Sequence, residues 1–177
     1  MRAQGGAHII VNSDIAHRRS PRTVLGIRVE EGNLSLQAAV MKQVEALKSA
    51  LANRDRSGAN RAVKGLLDGN APLGPQWRGI SELMRVSGEL ALAHRAMDAF
   101  VAAAGRTPPA LYAKVVLLTQ SGRQGEAHDL LSSLPKNVPT PAGHAYVLGN
   151  IEMTLGQVDQ ARAHLLEAIG HQPGWGP

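Results

Sequence analysis

Gly156-Gln157-Val158-Asp159-Gln160-Ala161-Arg162-Ala163-His164-Leu165-Leu166-Glu167-Ala168-Ile169 is the stretch that decides the fold. Its apolar positions Val158, Ala161, Leu165, Ala168 and Ile169 follow one another at spacings of three, four, three and one. Such spacing is a single stripe on an α-helix. The leading glycine closes an earlier helix, which holds Ala145-Tyr146-Val147-Leu148-Gly149-Asn150-Ile151. Glycine serves there because it tolerates a left-handed backbone. One step of 34 residues toward the N-terminus reaches Gly122, and a second reaches Gly88. Ala161, Ala127 and Ala93 each stand five residues after their glycine. Leu165, Leu131 and Met97 then align, followed by Ala168, Leu134 and Phe100. Three registers result, 74–107, 108–141 and 142–175, each predicted to hold two helices around its glycine. The last second helix is predicted to end at Gly170-His171-Gln172-Pro173, and that of the middle register earlier, at Pro135.

A worn fourth copy precedes these, over residues 34–73. Ala59, Val63, Leu66 and Leu67 continue the alignment, with Ser57 a candidate N-cap and Gly69 a candidate terminator. Before it, Leu36, Val40, Val44, Leu47 and Leu51 mark one face of a helix expected over residues 36–53. Arg54 occupies the glycine position of this copy. An atypical first repeat is expected where one face turns to water. Residues 1–33 show no such period and, with Arg18-Arg19-Ser20-Pro21-Arg22, read as an irregular or disordered basic segment.

The composition fits an all-α class. Only 3% of residues are aromatic, so alanine and leucine must fill the core, which suits closely approaching helices. The absence of cysteine excludes disulfides, thiolate metal sites and thiol catalysis. No apolar run is long enough to span a bilayer, and Ala7-His8-Ile9-Ile10-Val11 is too short for a secretory h-region; a cytoplasmic location is expected. The net charge of +5 is confined to residues 1–73, because residues 74–177 carry eight basic and eight acidic side chains. A nucleic-acid module needs its basic stripe on the folded surface, so that partner class is not expected. No phosphate loop, dinucleotide fingerprint, zinc-protease helix or nucleophile elbow occurs, and no convincing acid/base pair is read; no catalysis and no cofactor are expected.

A 34-residue helix–turn–helix period resembles the tetratricopeptide repeat. Register three carries the most of its pattern: Leu148-Gly149, Gly156, Ala161, Leu165, Ala168 and Pro173. Register one adds Trp77, Gly88 and Ala93; register two adds Gly122, Ala127 and Pro139. Met84, Leu118 and Glu152 stand where the family has a tyrosine, and Glu152 departs from it as a charge at a packing position. The resemblance implies an α-solenoid of stacked hairpins, wound as a right-handed superhelix. It implies that partner peptides or proteins lie in a concave groove lined by the first helix of each hairpin. Carried onto this chain, the groove takes Arg78, Glu82 and Arg85 from register one. Register two would contribute Tyr112, Val116 and Thr119, and register three Tyr146, Asn150 and Met153, with the two tyrosines side by side.

A carboxylate clamp of several basic residues is not expected, since only Arg78 and Asn150 fit one. His94 and His128 share a repeat position but lack a third ligand, and His164 and His171 are two turns apart, so no metal site is expected. The chain stops at Trp175-Gly176-Pro177, where another repeat would begin, without a polar capping helix. That end is expected to be covered by another copy or by further protein. Gly122-Arg123-Gln124-Gly125-Glu126-Ala127 and the Pro-Gly-Trp-Gly-Pro ending also look like the repeat region of bacterial tetratricopeptide proteins bearing a sulfotransferase domain, which would make this chain a fragment without its catalytic part.

Overall fold

The computed structural model describes the backbone of residues 25–172 and the side chains of residues 35–172. Over these residues the protein is all-helical: α1 (Leu25–Ala52), α2 (Arg56–Asp68), α3 (Gln76–Val86), α4 (Leu90–Ala103), α5 (Pro108–Gln120), α6 (Gln124–Ser132), α7 (Pro141–Thr154) and α8 (Val158–His171). The chain forms two compact units, residues 1–38 and 39–177. In the first, the described part is the opening of α1; all packing below lies within the second.

The repeat is written in the turns. Arg54, Gly88, Gly122 and Gly156 all have positive φ, at 55°, 79°, 79° and 77°. Around each, an amide bonds back to a carbonyl five residues earlier: Asp55 to Ala50 at 2.8 Å, Glu89 to Met84 at 2.8 Å, Arg123 to Leu118 at 2.9 Å and Gln157 to Glu152 at 2.9 Å. This is the Schellman closure, in which a left-handed residue turns the chain so that otherwise orphaned carbonyls of the last turn are met. The next helix opens in the same phase, with the amides of Ala59, Ala93, Ala127 and Ala161 bonded to the carbonyls of Asp55, Glu89, Arg123 and Gln157. The first copy, degenerate in sequence, therefore turns as the others do.

Packing follows the same phase. Ala59, Ala93, Ala127 and Ala161 are buried, as are Ala50, Met84, Leu118 and Glu152 on the facing helices. α7 meets α8 closely at Gly149, where an added Cβ would stand 2.8 Å from Leu165 Cγ and 3.1 Å from the Ala161 carbonyl oxygen. Ser81 holds the equivalent place in α3, and its hydroxyl donates to the Ala93 carbonyl at 2.9 Å. Two apolar clusters line the stack. One runs from Leu47 through Val63, Trp77, Met84 and Met97 to Leu117, and the other joins Val115, Leu118, Leu131, Leu148 and Ile151. On α8, Ile169 is 52% exposed, whereas Val101 at the same repeat position is 3% exposed beneath the following hairpin.

Several expectations need correction. Residues 25–33 are helical rather than irregular, because no proline lies between Pro21 and Pro72 and a formed helix extends at low cost; residues 1–24 lie outside the described part. Asp55, not Ser57, caps α2, its carboxylate accepting from the Gly58 amide at 2.9 Å. Gly69 does end α2 as its C-cap, but the left-handed φ, at 47°, falls on Asn70, and asparagine tolerates it well. On α1, Leu36 and Leu51 are exposed while Ala50 is buried, since α2 crosses closely where Gly58 meets Ala50. Pro173 and Trp175 lie outside the described residues, so their places in the repeat pattern do too.

Candidate functional site

Arg78 and Glu82 lie one turn apart on α3, and Pro109, Tyr112, Val116 and Gln120 run along one face of α5. The two faces meet at a cleft of about 700 Å³. Its floor is Ser81, Met97, Ala113 and Leu117, and one wall is Asn137-Val138-Pro139, from the segment joining α6 to α7. Four of the nine groove residues read from the sequence therefore share one concave surface spanning two hairpins. Glu82 accepts from Arg85 Nε at 2.9 Å, and this bond is the first cause holding its carboxyl below the ordinary range. The pairing draws Arg85 along its own helix. Tyr112 is partly buried, and burial pushes its phenol above its usual pKa, so it remains a hydroxyl donor.

The other predicted groove residues do not line this cleft. The Thr119 hydroxyl bonds its own helix at the Val115 carbonyl, 3.0 Å away. Asn150 Nδ2 donates to the Tyr146 carbonyl at 3.0 Å. Tyr146 and Met153 are exposed on α7. The cleft thus takes Tyr112 without Tyr146.

A second polar constellation was not foreseen. Glu152 is 2% exposed, at the position filled by Met84 and Leu118 in the earlier hairpins. His164 Nδ1 from α8 hydrogen-bonds its Oε2 at 2.7 Å, and His128 Nε2 from α6 stands 3.5 Å from Oε1. The charge read as a misfit thus meets imidazoles on both sides. The available signal was that a carboxyl group at a core position demands buried polar partners, and both histidines lie on the helices that flank α7. Nearby, His144, His164, His171, Glu167 and Lys136 border a smaller hollow of about 300 Å³. Among the described residues no three histidine or acidic side chains are arranged to hold a metal ion.

His94 and His128, 34 residues apart, each reach from a second helix to the first helix of the next hairpin. His94 Nε2 lies 3.0 Å from Ser121 Oγ at the end of α5.

The fold and the cleft define an all-helical protein built of stacked helix hairpins, and none of its described helices is long and apolar enough to cross a membrane. No protein-family model matches the chain, and no curated protein matches it.

Proposed function

We propose that the chain is a tetratricopeptide-type solenoid that binds a peptide or protein segment in the groove lined by α3 and α5 and walled by the segment that leads into α7. The observation that carries this reading is the cleft between α3 and α5, to which Arg78, Glu82, Tyr112 and Val116 contribute from two successive hairpins. The 34-residue phase of turns and buried alanines supports the repeat assignment. Binding segments of extended or helical chain suits a groove with apolar floor and polar rim, where a tyrosine offers apolar area with a donor at its tip. The role is assembly and recognition, without catalysis by this chain.

Affinity capture from the native cell tests it. Tyr112→Ala should abolish recovery of the partner while circular dichroism retains full helicity, and Tyr146→Ala should weaken recovery less. Undiminished capture by the Tyr112→Ala chain would reject the α3–α5 cleft as the binding surface.

A further inference from the structure

Two equivalent histidines link successive hairpins, but their surroundings differ in sign. His128 faces the buried carboxyl of Glu152, with Asp129 Oδ1 3.7 Å from its Nδ1. His94 faces a hydroxyl. The Ser121 hydroxyl donates its one proton to the Leu117 carbonyl at 2.7 Å. Ser121 Oγ must therefore accept from His94, which places the imidazole proton on Nε2. That leaves Nδ1 bare, and this nitrogen is buried with no protein group in hydrogen-bonding reach.

A second proton on this ring would go to Nδ1. It would create a buried N–H without an acceptor, which is costly until the ring swings out to water. Swinging out breaks the link to Ser121. The charged groups around the ring are Asp98 on its own helix, Lys114 on α5, and Arg123 and Glu126 at the start of α6. Asp98 is engaged by Lys114 at 2.6 Å, and Glu126 by Arg123 through Nε at 2.6 Å. Both carboxylates favour the imidazolium, but each is engaged by a cation, and burial together with the Arg123 and Lys114 charges outweighs them.

We propose that the α4–α5 contact is an acid-release joint: a proton on His94 Nδ1 expels the ring, breaks the Ser121 link and lets the α3–α4 hairpin part from α5–α6, while the Glu152-based joint between α6 and α7 stays closed. Burial first, and the nearby Arg123 second, hold the His94 pKa below its ordinary 6.5, in the same direction. The unfolded or opened ring takes its proton near 6.5 and the closed ring resists it. The joint is therefore fully stable above that pH and loses stability as the pH falls below it. The cleft draws one wall from each of these hairpins, so acid should also open the binding surface; this last step rests on the groove reading.

Hydrogen exchange of the full chain between pH 7.5 and 5.0, corrected for intrinsic rates, tests the joint. Protection of α4 and α5 should fall, relative to α7 and α8, by up to about tenfold per pH unit below 6.5. His94→Gln keeps an N–H for Ser121 without a titrating nitrogen, and should abolish that difference. Equal acid loss in both chains, or equal loss in α4–α5 and α7–α8, overturns the proposal. NMR titration of the wild-type His94 ring provides a check independent of variant folding: a neutral Nε2–H ring titrating below 6.5 supports it, and one titrating at or above 6.5 overturns it. None of these readouts uses a partner, so they stand or fall apart from the groove. Partner capture at pH 5.5 that fails for wild type and persists for His94→Gln would connect the two.

Discussion

Glu152 shows how one side chain sets the local character of a repeat. Its place in α7 is buried by α6 and α8, as Met84 and Leu118 are buried in their hairpins. A buried polar cluster of this kind specifies which partners meet, at a cost in desolvation that an apolar residue of similar size avoids. Glu152→Met restores the side chain found at position 84. Its two imidazole partners are partly exposed and can turn to water. The variant should be as stable as wild type or more so, by up to about 4 kcal/mol, read as the urea midpoint at constant slope. A loss exceeding about 1 kcal/mol would show that the imidazoles cannot be hydrated without their carboxyl partner. The sequence identified Glu152 as out of place but not its partners, because residue type marks a need for hydrogen bonds and the neighbours that meet it come from other helices.

At the scale of elements, the turn is the conserved mechanical unit of this chain: a left-handed residue, a five-residue closure and a buried alanine recur in four copies. Three copies use glycine, and the first uses Arg54 at φ 55°. A side chain with Cβ is strained there by about 1–2 kcal/mol. Arg54→Gly should therefore raise the melting temperature, offset in part by the freedom glycine adds to the unfolded chain, for a net gain of about 0.5–1 kcal/mol. Gly122→Ala should lose a similar amount. A destabilised Arg54→Gly chain would mean that the arginine side chain holds contacts outweighing its backbone strain. These turns were legible from Gly88, Gly122 and Gly156 because their cause is local. The Asp55 cap was missed by two positions, since Ser57 and its neighbours are all competent in isolation, whereas Gly69 does end α2 and only the left-handed φ falls one residue later, on Asn70.

For the whole molecule, the main contacts of α3 through α8 join helices adjacent in the chain, and α2 reaches α4. Under the repeat reading proposed above, stability is expected to be a sum of hairpin terms and neighbour terms, so that damage stays near its origin. Gly149→Val tests this. The added side chain meets the Ala161 backbone and Leu165 at the α7–α8 crossing, and overpacking there should cost about 1–3 kcal/mol. Hydrogen exchange should rise across α7 and α8 while α2 to α4 keep their protection. Uniform loss of protection over all helices would instead show one cooperative unit.

What the sequence determined by itself was of short range: most helical stripes, the phase of 34, the turn glycines and the alanines that permit close crossing. These follow from backbone preferences and from which side chains avoid water within a single hairpin. Only the tertiary structure decided which polar atoms meet. It set His94 against Ser121 and Glu152 between His128 and His164, and it made Asn137-Val138-Pro139 a wall beside Tyr112. Those encounters depend on how one hairpin is rotated and shifted on the next, a geometry fixed by the packing of many side chains together and not by any one local segment.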